Sequence, residues 1–429
     1  MNDQRPAPGK AGGQPFPEGL GGSKYFRIPA LAALSDGTLV AACDARWDHW
    51  GDGGGLDTLV SVSHDGGKSW QYSFPNYLGD NGDKLNDLST AFIDPALATD
   101  GQRIWMLVDL WPAGIALNTA RYRPVPGASG FDAQGRLRLR MDDPVRIGAE
   151  GYSEAAAKAD YAYALDLGTL KLSPPLEGYE VSPFFHIRDP EGRVTNLFCG
   201  DSPLKVYPTD YLYLTYSDDG GKTWSAPELL DLKRENEEAF LVGPGNGAFH
   251  EGKVIFSAYE HTLGFERCCL IWKDAKGWHR SENATKDTWS SEGAPVVLPD
   301  GTVRLFYRDG FEKLRYTDYR FEDDRYVPTV MEQETSAPKT AANQLSAVRR
   351  GERIFVSTAT GTDRRREKGA VHVFRLGEEM TLEKTVPITE GFYAYSSLAP
   401  RSDGRLALLY ESAPAGITFT RVEERQLGI

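Results

Sequence analysis

Short runs of Val, Ile, Leu, Phe and Tyr alternate along the whole chain with tight clusters of Gly, Asp and Pro. This punctuation predicts strands, since an amphipathic helix needs a longer stretch with apolar residues three and four positions apart. The best helical stretch is Ser153 to Asp160. One unit recurs: an apolar strand, a turn ending in Gly, and a second strand. It stands at Asp36-Gly37 before TLVAAC, Asp100-Gly101 before QRIWMLV, Glu191-Gly192 before RVTNLF, Glu251-Gly252 before KVIFSA, Asp300-Gly301 before TVRLFY, Arg350-Gly351 before ERIFV and Asp403-Gly404 before RLALLY. Hairpin turns demand a positive φ, which glycine adopts at little cost. Apart from the long interval between Gly101 and Gly192, the turns recur every fifty to sixty residues or so, about the period of propeller blades. The expected class is therefore all-β, and the expected architecture a β-propeller.

Two segments, Ser63 to Trp70 and Ser217 to Trp224, share the pattern Ser-x-Asp-x-Gly-x-x-Trp. This is the Asp box, a structural hairpin turn whose Ser and Asp side chains bond turn amides while the Trp packs between sheets. Later copies decay to fragments around Lys273 to Trp278 and Thr317 to Tyr319. Only one box lies between Gly101 and Gly252, so the Glu191-Gly192 hairpin reads as an insertion within the second blade. The seven hairpins then reduce to six blades. Residues 122–180, with Pro124, Pro126, Gly127, Gly130 and Gly135, read as a long excursion carrying a short helix, the whole insertion covering about 122–200. Residues 1–22 are polar and rich in Gly and Pro and are expected to be flexible, leaving 23–429 as one catalytic domain.

Composition narrows the function classes. A net charge of −13 without Lys/Arg runs argues against a nucleic-acid binder, which must neutralise phosphates. No apolar run approaches the ~18 residues of a membrane span, and Met1 to Gly22 lacks the charged head and apolar core of an export signal. A cytoplasmic location and secretion after removal of a signal both stay open. Cys43, Cys199, Cys268 and Cys269 are too scattered for a disulfide framework and show no zinc spacing, so free buried thiols and no metal are expected. On a strand, Cys268 and Cys269 would face opposite sides.

Charged or phenolic residues interrupt the apolar strands at matching places: Arg27 at a strand start, Glu292 before GAPVVL, Arg308 closing VRLFYR, Tyr395 before SSLAP and Glu411 closing RLALLYE. Asp52 lies in Trp47-Asp48-His49-Trp50-Gly51-Asp52-Gly53-Gly54-Gly55, a loop able to arch over a pocket. Buried charges need partners, and a propeller brings equivalent strand ends together around a central funnel. Trp47, Trp50, Trp105 and Trp111 are candidates for a ligand-facing wall, wedging between blades being the competing reading.

From Phe26-Arg27-Ile28-Pro29 to Leu408-Leu409-Tyr410-Glu411 the chain resembles the bacterial-type sialidases of glycoside hydrolase family 33, the likeness including Asn196-Leu197-Phe198, Leu204-Lys205-Val206-Tyr207 and Ser217-Asp218-Asp219-Gly220. The resemblance implies an exo-α-sialidase on a six-bladed propeller, cleaving terminal sialic acids from glycans with retention and without a cofactor. It implies Arg27, Arg308 and Arg366 as the carboxylate grip, the last from Arg366-Glu367-Lys368-Gly369, and Glu411 as brace of the first arginine. It implies Tyr395 as nucleophile, Glu292 as its base, Asp52 as acid/base, and Arg46 and Asp94 on the sugar's 4-hydroxyl. A phenol suits this substrate because the anomeric carbon already bears a carboxylate that would repel an anionic nucleophile. Asp52 would need surroundings of lower polarity to keep some of its acid form. Intramolecular transfer giving an anhydro-sugar and a non-catalytic sialoside-binding propeller are the alternatives. Linkage and C5-substituent preference are left open.

Overall fold

The computed structural model describes residues 5–78, 89–117, 127, 129–141, 147, 151–377 and 380–427. The architecture is all-β and propeller-like, a succession of antiparallel meanders in chain order. The first runs through Tyr25–Ala33, Leu39–Arg46, Leu56–Ser63 and Trp70–Asn76. Ala91–Thr99, Ile104–Trp111, Tyr211–Ser217 and Glu228–Leu230 form the next. Then come meanders centred on Lys253–Thr262 with Phe265–Asp274, on Val303–Asp309 with Arg315–Glu322, and on Arg353–Ala359 with Glu367–Arg375. Ser396–Pro400, Leu406–Ala413 and Gly416–Val422 complete the series. Among the described residues no sheet closes on itself.

Strands such as Leu39–Arg46 and Leu56–Ser63 are buried at every position, because neighbouring sheets cover both faces. That explains why the sequence shows continuous apolar runs instead of a clean alternation. Large aromatics fill the wedges. Trp70 of the first meander meets Phe419 of the last edge-to-face at 5.2 Å, and Trp272 meets Tyr326 at 5.0 Å. The two Ser-x-Asp turns are alike: Gly67 and Gly221 amides donate to Ser63 and Ser217 Oγ, each at 2.8 Å, while Asp65 and Asp219 accept from the amides three and four residues on.

Tyr211–Ser217 pairs directly with Ile104–Trp111, Tyr211 opposite Leu110. The chain between them therefore leaves one meander and returns to it. This excursion holds the helix Tyr152–Ala157 and two small sheets, one containing His186–Arg188 and Val194–Asn196 around the Glu191-Gly192 turn. Pro124 and Pro126 lie outside the described residues.

Within the amino-terminal segment, Gly9–Gly12 pairs with Trp70–Asn76, and Phe16 and Leu20 are buried, Phe16 stacking on Phe26 at 6.0 Å. All four cysteines are free and buried.

Candidate active site

The innermost strands lose register where the candidate residues sit: between Arg27 and Ala30, Ile93 and Ala96, and Ser290 and Gly293. Bulges of this kind re-aim side chains, here at the ends of strands that converge. Ile28 and Asp94 carry φ of 57° and 62°, a left-handed conformation disfavoured above all for a β-branched residue. Each strained amide is held by a carboxylate from another strand. Ile28 N donates to Glu411 Oε1 at 3.0 Å, and Asp94 N to Asp44 Oδ1 at 3.1 Å. The strain is thereby fixed in place at the site.

Three guanidinium groups surround one phenol. The Tyr395 hydroxyl donates to Glu292 Oε1, and Arg308 NH1 donates to the other oxygen of that carboxylate at 2.9 Å. Arg308 Nε is fixed by the Ala342 carbonyl at 2.9 Å. The guanidinium carbons of Arg27 and Arg366 lie 5.6 and 5.5 Å from the centre of the Tyr395 ring. Of the three consecutive arginines, Arg364 bonds to the Gly310 carbonyl and Arg365 to Thr362, so Arg366 alone makes this ring contact. Arg27 Nε donates to Glu411 Oε1 at 3.1 Å and its NH1 to Asp52 Oδ1 at 3.2 Å. Arg27 and Arg308 are thus each held by a buried carboxylate, Glu411 and Glu292, and permanently charged, forked donors of this kind have the chemistry to take up a small anion.

Tyr395 is buried, and burial together with the nearby Glu292 charge pushes its pKa well above the usual phenol range, Arg308 and Arg366 pulling it only partly back. The phenol is therefore neutral and already hydrogen-bonded to a proton acceptor. Asp94 is likewise raised well above a normal carboxyl, by desolvation and by Asp44, Glu292 and Asp52.

Asp52 departs from its expected environment. Enclosure tends to raise its pKa, but Arg46 at 2.7 Å and Arg27 prevail and hold it below the ordinary carboxylate value. Its side chain is 59% exposed, so what surrounds it is charge and water, not low polarity.

Two features escaped the sequence reading. Asp44, paired with Arg46 NH2 at 2.7 Å and fully buried, joins the first two meanders. Burial raises its carboxyl against the pull of Arg46, to about 7. The Asp44-Ala45-Arg46 alternation, which puts both side chains on one face of a strand, was the available signal. Beneath Tyr395, Gln344 Oε1 accepts from Ser396 N at 2.8 Å while its Nε2 donates to the carbonyls of Pro244 and Ser396, and Asn246 Nδ2 donates to the carbonyls of Leu31 and Leu398. These amides tie inner strands of different meanders together, and no local sequence signal marked them. Among the described residues no cluster of His, Cys, Asp and Glu has the makings of a metal site.

No family-level sequence model matches the chain. It is 26% identical to an anhydrosialidase of Macrobdella decora over 91% of this chain and 58% of that protein, and 30% identical to sialidase B of Streptococcus pneumoniae over 67% of this chain and 46% of that protein. The chain thus spans about half the length of these curated relatives. In fold it is similar to the intramolecular trans-sialidase from Ruminococcus gnavus solved with oseltamivir carboxylate, with a TM-score of 0.78, 24% identity and coverage of 95% and 96% of the two chains. Relatives in sequence and neighbours in fold converge on one group, and the chain belongs to the bacterial-type sialidases.

Proposed function

We propose that this protein is an exo-α-sialidase that removes terminal sialic acid from glycans with retention, on a six-bladed propeller with Asp-box hairpins and one insertion in the second blade. The observation that carries the reading is the Tyr395–Glu292 hydrogen bond set within a ring of Arg27, Arg308 and Arg366. The sugar carboxylate binds the three guanidiniums, Glu411 braces Arg27, and Arg46 and Asp94 hold the 4-hydroxyl.

In the first half, the Tyr395 oxygen bonds to the anomeric carbon and passes its proton to Glu292, while Asp52 gives its proton to the departing glycosidic oxygen. In the second, water attacks the same carbon and gives a proton to Asp52. The Tyr395–sugar bond breaks, and Glu292 returns the proton to the phenol. Two inversions give retention. The low pKa of Asp52 in the free protein is relieved as substrate arrives, because the sugar carboxylate competes for Arg27 and adds a negative charge beside Asp52. The order of events matters: the acid is generated by the ligand that needs it.

A second reading is intramolecular transfer, in which the sugar's own glycerol hydroxyl replaces water and an anhydro-sialic acid is released. Its support is the names of the relatives, an anhydrosialidase in sequence and intramolecular trans-sialidases in fold. The testing experiment is nuclear magnetic resonance of the products from 3′-sialyllactose, with the Tyr395→Phe variant beside the wild type. Free sialic acid supports hydrolysis, and the 2,7-anhydro sugar supports the second reading. Tyr395→Phe is expected to bind free sialic acid yet release no lactose; sustained turnover by that variant refutes the nucleophile assignment.

A further inference from the structure

Three of the four candidate tryptophans are consumed by packing. Trp47 stacks on Phe74 at 5.6 Å and donates Nε1 to Asp57 at 2.8 Å, Trp105 stacks on Phe249 at 5.5 Å, and Trp111 is buried. Trp50 is 61% exposed, among the most exposed large apolar side chains described. Its backbone is nevertheless fixed. The Trp50 carbonyl accepts from Arg46 NH1 at 2.6 Å and the Gly51 carbonyl from the same nitrogen at 2.9 Å, while His49 Nε2 and the Gly54 carbonyl meet at 2.9 Å across the loop. That same Arg46 nitrogen holds Asp52 Oδ1. One buried guanidinium atom therefore sets the position of the carboxyl and of the backbone that bears the indole.

We propose that Trp50 is the platform for the sugar on the leaving-group side, its indole face stacking on the apolar C–H face of the penultimate hexose. The proposal rests on Asp52 being the acid. A group that protonates the glycosidic oxygen lies within hydrogen-bond reach of it, so the next sugar begins beside Asp52 and two residues from Trp50. Exposed indole has apolar surface to bury there and a polarised ring face to offer a sugar's C–H groups.

The test compares two substrates that share the sialic acid and differ beyond it: 3′-sialyllactose and the methyl α-glycoside of sialic acid. Progress is followed by the release of lactose or methanol, which reads bond cleavage whatever the fate of the sialyl group. Trp50→Ala is expected to lower kcat/KM for sialyllactose about tenfold, the scale of one stacking contact, and for the methyl glycoside less than about twofold. Trp50→Phe should recover most of the loss. Equal losses on both substrates would mean that the residue acts through the Asp52 loop, and no loss on sialyllactose would mean that it touches no sugar; either overturns the platform. If the wild type cleaves neither of these substrates, nor 6′-sialyllactose, nor an α2,8-linked disialoside, sialoside cleavage itself is refuted, and the platform with it.

Discussion

Glu411→Gln isolates the charge of the brace without changing its shape. Glu411 is 1% exposed, and its Oε1 accepts from both Arg27 Nε and Ile28 N, whereas Oε2 is buried with no hydrogen-bond partner. A glutamine can keep both bonds to its carbonyl oxygen, and its NH2 replaces an Oε2 that is itself unpartnered, so the loss is that of the charge. The buried Arg27 guanidinium then has a neutral acceptor in place of its counter-ion, at a cost of about 2–4 kcal/mol. For 429 residues the unfolding entropy is about 0.9 kcal/mol per kelvin, so the melting temperature should fall by about 2–4 °C. Arg27 would keep the glutamine oxygen but only the half-exposed Asp52 as a charged partner, and kcat/KM on sialyllactose should fall with it. Differential scanning calorimetry and initial-rate kinetics read the two effects. A variant that melts within 1 °C or so of the wild type and turns over normally would refute the brace and the reasoning from buried charge behind it.

Asp52→Asn should lower kcat on sialyllactose by about 10²–10⁴-fold, with a much smaller loss on a sialoside whose leaving group needs no proton. Since Asp52 must be protonated to react and is depressed in the free protein, the alkaline limb of kcat/KM should lie at lower pH than that of kcat; coincident limbs in rate profiles would contradict it. His372 is buried, its Nδ1 paired with Thr385 Oγ1 at 2.9 Å, and burial lowers its pKa to about 4. The unfolded chain takes up that proton near pH 6.5 and the folded one near 4, so folding stability falls as pH drops between them, by about 2 kcal/mol from pH 7.5 to 5. Urea titrations should show this acid sensitivity reduced in His372→Gln; equal slopes in both proteins would rule the residue out.

Hairpin turns and a few spaced residues made much of the molecule legible. Glycine turns between apolar runs report strand ends directly, because positive φ is a local requirement, and Phe26-Arg27-Ile28-Pro29 places Arg27 near the start of the strand Tyr25–Ala33, though not the register break that follows it. What was not legible depends on contacts far apart in the chain. Asn246 and Gln344 look like ordinary polar residues in sequence, and only the convergence of strands gives them partners. Phe16 and Leu20 are too few to signal order in a Gly/Pro-rich stretch, yet the surface of Trp70–Asn76 accepts them. The electrostatics of Asp52 differ for a more local reason. A glycine-rich loop suggests enclosure, but the pKa is set by Arg46, which ends the strand leading into the loop, and by Arg27 on the paired strand, both turned toward the carboxylate.

Arg27 and Glu411 are 384 positions apart, and the amide of Phe26 donates to the Ala415 carbonyl alongside them. Such a junction cannot be made before residue 411 has been synthesised: the early strands must wait, with a guanidinium and a left-handed isoleucine uncompensated, until the late strand emerges. Local hairpins should therefore form early and the receptor for the anion last, on the slow timescale of distant pairings. A nascent or truncated chain ending before residue 411 would carry Tyr395 and every arginine named above, and still have no socket.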